Sequence, residues 1–448
     1  MHPLTFVNAL YGQARGYRRL EIRRRVAANQ CLPRATLART TEDSFQRHVH
    51  RCLERFPFYA ERVKAHRGSL PRPGETVRPE ELPVWTRDLQ REFFAQQTRP
   101  GDAAYPHQTS GSTALPIRFY VTRESYEWRT AVMDRAYAWG GAAEGVKSLH
   151  VWPRDTTQRS LVQSAKRAAH LKLLRWTFVD AYQQTTEGER AACCALINRV
   201  KPSAIVGYTG VVVELARHVR DHGGLAWKAR TLVTAAEGLQ PGQRELLQTH
   251  LVDQVFVSYG SREFMSIGME CERHTGYHVA TDNLWLEVVD DAGRPVPAGT
   301  EGRIVITDFH NAATPFIRYE VGDIGVMAPA DEVCPCGRPF PLLRSVDGRL
   351  QDVIHTPAGP LSAIYVTYTM RQFDGWVEGY QVVQHAPDGV LIRLVSREPL
   401  TPERLAPVTE LLRKKLANMT IDYERVNELS RRRSGKVELV VSTVGRGK

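Results

Sequence analysis

Between residues 148 and 258 the chain alternates short apolar runs with longer segments of helical period. Ser148-Leu-His-Val-Trp152, Ala204-Ile-Val206, Thr231-Leu-Val-Thr234 and Gln254-Val-Phe-Val-Ser258 read as strands. Residues 187–200, 210–222 and 241–250 read as the helices between them. Parallel neighbours need a crossover, so this order predicts a largely parallel sheet with crossover helices. Upstream, 41–66 reads as helical, ending near Phe56-Pro-Phe-Tyr59, and 83–96 as helical with Thr86 as its N-cap, and Thr122 caps a helix running to about Trp139. From about residue 276 the pattern changes to paired strands, with Asp290-Asp-Ala-Gly293 as a hairpin signal. Further on, Val377-Glu-Gly-Tyr-Gln-Val-Val383 and Val390-Leu-Ile-Arg-Leu-Val395 read as strands, 402–417 as a helix, and Val437-Glu-Leu-Val440 as a closing strand.

The expected architecture is α/β. A large N-terminal domain, 1–347, carries mixed, largely parallel sheets and crossover helices, and a small mobile α+β C-terminal lid domain spans 348–448. A chain of 448 residues exceeds what one core usually serves. With 42% hydrophobic and 24% charged residues the composition is that of a soluble globular protein. No run approaches the roughly 20 apolar residues of a membrane span, and Leu4-Thr5-Phe6-Val7-Asn8 lacks a secretory apolar core. Seven cysteines, odd in number and thinly spread, argue against a disulfide framework. A cytoplasmic location is expected, without membrane contact.

The net charge of +11 raises nucleic acid as a partner. Much of the excess sits in Arg15, Arg18, Arg19, Arg23, Arg24 and Arg25 and in Arg431-Arg432-Arg433. The first group falls on a segment of helical pattern and reads as a solvated face. No zinc-finger, RNP-like or basic-zipper pattern accompanies it, so nucleic acid is disfavoured. A small ligand carrying phosphates uses the same charge more economically.

In open α/β sheets ligands sit at the strand ends, and the informative residues fall there. His107-Gln-Thr109-Ser110-Gly111-Ser112-Thr113 gathers four hydroxyls around one glycine, a loop able to wrap an anion. Thr234-Ala-Ala236-Glu237 follows one strand and Tyr259-Gly260-Ser-Arg262-Glu263 the next. Then come Ile317-Arg-Tyr319-Glu-Val-Gly-Asp323, Gly348-Arg349-Leu-Gln351-Asp352 and Ser434-Gly435-Lys436. Each fragment alone is common; their order and spacing together are not.

As an ordered set, from about residue 45 to the end, these motifs resemble the adenylate-forming superfamily of acyl-CoA synthetases and adenylation domains, and within it the phenylacetate–coenzyme A ligase-like family. The resemblance implies activation of a carboxylic acid by ATP to an acyl adenylate, followed by transfer to a thiol, usually coenzyme A. It implies that Thr109, Ser110, Gly111, Ser112 and Thr113 embrace phosphate and that Tyr259 and Gly260, with Ala236 and Glu237, line the adenine. Glu263 would hold magnesium, Asp323 the ribose hydroxyls, Arg349 ribose or phosphate, and Lys436 would bridge the carboxylate and the α-phosphate. Ala114-Leu115 stand where the family often has glycine and then lysine, and Arg262 where a threonine commonly precedes the metal-binding glutamate. Arg262 could therefore reach the phosphates itself. Gln351 stands at the hinge where the family tends to have aspartate.

Trp152, Val206, Tyr208, Phe264 and Met265 fall at strand ends and are candidates for an apolar slot for an aryl acid, or for ordinary core. Cys271, His278, Cys334 and Cys336 make a candidate Cys₃His structural zinc site, with His274 the alternative histidine. Two other readings stay open. One is a stand-alone adenylating enzyme of natural-product biosynthesis that passes the acyl group to an amine or a carrier protein. The other is a non-enzymatic basic protein on a decayed ligase scaffold. A homodimer is also left open.

Overall fold

Pro57 splits the first long helical run in two. Helix α1 (Arg19–Asn29) precedes α2 (Arg34–Arg55) and α3 (Pro57–Arg67), with the break at the Phe56-Pro-Phe-Tyr59 segment and the helical run starting before residue 41. Proline cannot donate to the preceding turn and drives the residue before it out of helical backbone, and Phe56 is accordingly extended at φ −122° and ψ 93°. The structure, a computed structural model, describes residues 18–97, 104–109, 117–153, 160–184, 186–236, 238–239, 242–347, 353–357 and 359–362. It further describes 366–429, apart from 367–368, 371, 374–375, 397 and 417, and then 439–444.

The basic face of α1 is less solvated than its sequence implies. Ile22 and Val26 pack on Trp128 and Val132. Arg19 lies 3.2 Å from Glu144, and Arg23 pairs with the same carboxylate and stands 3.8 Å from Asp134. The acids come from a segment more than a hundred residues away, so only the tertiary fold neutralises this charge.

Helix α4 (Arg87–Gln96) leads to a hairpin of β1 (Ala104–Gln108) and β2 (Arg118–Thr122), after which Thr122 caps α5 (Arg123–Trp139) by accepting the Ser125 N–H at 3.2 Å. Strand β3 (Ser148–Trp152), helix α6 (Leu161–Leu174) and strand β4 (Trp176–Asp180) follow. The chain continues through α7 (Glu187–Val200), β5 (Ala204–Tyr208), α8 (Thr209–His222), β6 (Ala229–Ala235), α9 (Gln243–His250) and β7 (Val252–Tyr259). Strands β4-β3-β5-β6-β7 lie side by side and parallel, as the alternation predicted. Leu149, Ile205, Leu232 and Val255 from the strands bury against Ile197, Val212 and Leu215 from the helices.

The pair α6 and β4 left no readable apolar period. Most of α6 is exposed, including Val162 at 63%, and no position of β4 is fully buried. Only burial sharpens such a pattern. A capping box between Ser160 and Gln163 starts α6 instead.

Beyond β7 the sheet turns antiparallel. Strands β8 (Gly268–Glu270), β9 (Tyr277–Val279), β10 (Leu284–Val289), β11 (Glu301–Asp308), β12 (Tyr319–Met327) and β13 (Leu342–Asp347) extend it in the order β7-β8-β9-β13-β12-β11-β10. The result is one mixed sheet of eleven strands. The expected turn after β10 is present, with the Gly293 N–H donating to Asp290 O at 3.0 Å.

The C-terminal part begins with a hairpin of β14 (Val353–Thr356) and β15 (Gly359–Ser362). Then come β16 (Val377–Ala386), β17 (Gly389–Ser396), α10 (Pro402–Leu416), β18 (Thr420–Arg425) and β19 (Val440–Ser442). The strands form a sheet in the order β18-β17-β16-β19, over a core that includes Val382, Ile392, Leu394, Val408 and Leu412. Among the described residues no helix is long and apolar enough to cross a membrane.

Candidate active site and metal centre

The site is built where the chain before α4 runs along β12. The Trp85 N–H donates to Arg318 O at 2.9 Å, and the Glu320 N–H donates to Trp85 O at 3.0 Å. Trp85 is fully buried among Phe58, Tyr59 and Phe93, which anchors the segment. Thr86 then caps α4, accepting the Leu89 N–H at 3.2 Å. Arg87, the first residue of the helix, is thereby set beside Glu263, 3.7 Å from its Oε1.

Glu263 follows β7 in a turn that only glycine permits at residue 260. A Cβ on Gly260 would fall 1.9 Å from Met265 O. Met265 itself sits at φ 62°, a region side chains other than glycine seldom occupy. The turn buries the Glu263 carboxylate, where the Tyr319 hydroxyl donates to Oε1 at 3.1 Å. Burial, and then Glu263 beside it, push the Tyr319 phenol well above its ordinary pKa, so it stays protonated and remains a donor. Reciprocally, the Tyr259 hydroxyl at the end of β7 donates to Asp323 Oδ2 on β12 at 2.9 Å. Two strands separated in the sheet order by β8, β9 and β13 thus exchange phenol–carboxylate bonds. Each carboxylate is oriented by the other strand's tyrosine.

The hydroxyl loop leaves from the β1–β2 hairpin. Its base is closed by the Thr109 N–H donating to Ile117 O and the Ile117 N–H donating to Thr109 Oγ1, both at 3.0 Å. Burial depresses the pKa of His107 in β1, and the nearby guanidiniums of Arg129 and Arg262 add to the effect. Arg129 is neutralised by Asp308 at 2.5 Å, whereas Arg262 is exposed and has no carboxylate partner among the described residues. Ala236, after β6, takes φ 75°, so with Met265 a second non-glycine residue at positive φ marks these strand ends.

Ser110 to Leu115, Glu237, Gly348 to Asp352 and Lys436 lie outside the described residues. Of the acid-pocket candidates, Trp152 and Tyr208 meet edge to face at 4.7 Å, and Val206 packs in the same cluster as Trp152. Phe264 instead lies fully enclosed in the other core, 5.4 Å from Phe316 and 6.0 Å from Tyr319. Sequence reading missed Arg87 and the pairing of Tyr319 with Glu263. The Thr86 cap marked where α4 begins, but nothing local reveals what its first turn faces.

The second constellation is assembled by short antiparallel strands. Cys271 follows β8, His278 lies on β9, and Cys334 and Cys336 precede β13, which pairs with β9. Their ligand atoms all lie within 4.8 Å of one another. Cys271 Sγ is 3.6 Å from Cys334 Sγ, too far for a disulfide, and Cys336 Sγ is 3.3 Å from His278 Nε2. The main-chain N–H groups of Arg273 and Arg338 donate to Cys271 and Cys336. Burial pushes the Cys271 thiol up to about 12. Burial opposes ionisation of Cys334 too, but the Cys336 N–H and the Thr275 hydroxyl outweigh it and lower its pKa. His274 is occupied elsewhere, 3.1 Å from Glu270. Three sulfurs and one imidazole nitrogen, converging from three buried residues and the half-buried Cys336, fit a tetrahedral zinc. Protein prepared without chelator should contain about one zinc per chain, as such a closed site implies. Cys334→Ser should lower both the metal content and the melting temperature; metal analysis showing no zinc would remove the assignment.

The mixed sheet defines the class: the chain has the fold of the adenylate-forming ligases. It superposes on 2-hydroxyisobutyryl-CoA ligase, solved with 2-HIB-AMP and CoA, with a TM-score of 0.62 and 20% identity over 92% of this chain and 91% of that one. The postadenylation state of that enzyme with 2-HIB-AMP gives a TM-score of 0.56, at 21% identity over 90% of this chain and 88% of that one. In sequence, Protein CapK of Staphylococcus aureus is 22% identical over 374 residues, 81% of this chain and 80% of CapK. Phenylacetate-coenzyme A ligase of Aromatoleum evansii is 25% identical over 258 residues, 55% of each chain, so that match spans about half of either protein. The family model of the CapK C-terminal domain matches residues 354–443.

Proposed function

We propose that this chain is an ATP-dependent ligase that adenylates a carboxylic acid, of aryl type, and passes the acyl group to a thiol, coenzyme A. The observation that carries the reading is the crossed pair of buried carboxylates, Glu263 held by Tyr319 and Asp323 held by Tyr259. Carboxylate attack on the α-phosphorus gathers negative charge, so the protein's task is positioning and charge stabilisation. Asp323, its orientation fixed by Tyr259, accepts the ribose hydroxyls. Glu263 is the oxygen ligand for a magnesium ion, which would neutralise phosphate charge when bound. The hydroxyls of the 109–113 loop and Arg262 receive the phosphates, Arg349 adds ribose or phosphate contact, and Lys436 bridges the two reacting groups. Trp152, Val206 and Tyr208 wall the acid slot. The solved complexes of 2-hydroxyisobutyryl-CoA ligase with acyl-AMP and CoA support a thiol acceptor over an amine.

ATP–pyrophosphate exchange over a panel of carboxylic acids tests adenylation without assuming an acceptor. An acid-dependent signal is expected, and its absence across aryl and aliphatic acids would defeat the reading. AMP release that depends on an amine or a carrier protein, with none from coenzyme A, would keep adenylation and replace the acceptor. Asp323→Ala should weaken ATP binding by about 10- to 150-fold, the equivalent of losing one charge-assisted hydrogen bond. Unchanged affinity in a folded variant would make Tyr319 to Asp323 a structural turn.

A further inference from the structure

Arg87 has no task in the scheme above, yet it is held in the site with care. Backbone pairing of Trp85 with β12 and the Thr86 cap fix its position. Its nearest carboxylate oxygen, Glu263 Oε1, is 3.7 Å away, outside hydrogen-bonding range. Its Nε is buried without a hydrogen-bond partner. A guanidinium offers five donors, and buried ones are normally used. About a quarter of the side chain remains open to solvent, so a ligand can reach it. Burial alone would lower its pKa, but Tyr319, Glu263, Asp323 and Glu320 around it more than offset that. Arg87 is a charged, under-bonded cation in the middle of the candidate nucleotide site.

The neighbouring loop supplies the complementary observation. Residues 109–117 read Thr-Ser-Gly-Ser-Thr-Ala-Leu-Pro-Ile and contain no cation. The helix that Arg87 opens is tied to the exit of this loop, because Gln90 Nε2 donates to Arg118 O at 3.1 Å.

We propose that Arg87 binds the β- and γ-phosphates of ATP, exchanging its long pairing with Glu263 for the polyphosphate. The exchange frees the Glu263 carboxylate at the moment the phosphates arrive. This assignment rests on the adenylation reading and adds a residue to it.

The test compares ATP with AMP, which lacks the two outer phosphates. By titration calorimetry on the full chain, Arg87→Gln should lose about 10- to 100-fold in ATP affinity, the scale of a lost charged hydrogen bond, with AMP affinity nearly unchanged. Arg87→Lys should recover part of the loss. Equal weakening of ATP and AMP, or no weakening of either, would overturn the role of Arg87 and leave adenylation standing. Wild-type protein that binds neither nucleotide would overturn both. A readout on the wild type avoids any folding defect of the variants: phenylglyoxal labelling of Arg87, followed by peptide mass spectrometry. ATP and inorganic pyrophosphate should protect it and AMP should not; identical labelling under all three conditions also overturns the assignment.

Discussion

Arg318→Met should cost about 3–5 kcal/mol of folding stability, the range for breaking a buried ion pair from one side. Arg318 is 1% exposed and grips Glu287 through both ends of its fork, Nε to Oε2 at 3.2 Å and Nη2 to Oε1 at 3.0 Å. The same guanidinium donates to Leu82 O at 2.7 Å and Gly293 O at 2.6 Å. Methionine fills much of the volume but strands a buried carboxylate and two carbonyls. Burial already raises the Glu287 pKa with Arg318 against it, so the group has little tolerance for losing its partner. Typical domains hold about 5–15 kcal/mol in all, so the loss should be plain in a urea midpoint. A shift worth under about 1 kcal/mol would mean that water replaces the clamp. Pairing the change with Glu287→Leu should recover much of the loss, because the stranded charge goes with it. Since the guanidinium holds Leu82 O, in the segment that leads to Trp85 and Arg87, the single variant should weaken nucleotide binding as well.

Lys436→Ala should leave ATP binding nearly intact and slow acyl-adenylate formation by ~10²–10³, the scale for losing one preorganised charge-stabilising donor. A lysine is a compact charge on a long stem, suited to bridging a carboxylate and an α-phosphate as they approach. It stands just before β19 in the sequence, within the proposed C-terminal lid, so its charge would arrive only when that unit closes. Acyl transfer from a supplied acyl adenylate should suffer much less, because no attack on phosphorus remains. Single-turnover measurement of each half-reaction checks this. An equal drop in both would make Lys436 a folding or docking residue.

Local chemistry was legible wherever it repeats along the chain or concentrates in a short motif. The buried parallel strands announced themselves by apolar runs, and the caps at Thr86 and Thr122 by a hydroxyl before a helical period. The motifs at Tyr259 to Glu263 and Tyr319 to Asp323 stood out in the sequence because each compresses several residue types into five positions. Helix α6 and strand β4 were not legible, since a segment that buries little acquires no pattern. Arg24 and Arg25 of α1 are exposed as read, but Arg19 and Arg23 misled for a related reason: a cation paired with a distant acid has the same local sequence as a solvated one.

By itself, then, the sequence determined the elements that bury a face, their class and the kinds of group at the strand ends, because these depend on periodicity and side-chain type. The tertiary structure alone decided which groups meet. It crossed Tyr259 with Asp323 and Tyr319 with Glu263, gathered Cys271, His278, Cys334 and Cys336 within 4.8 Å, and put Arg87 beside a carboxylate far along the chain. Those pairings depend on how one sheet places strands that are distant in sequence, and no local propensity encodes them.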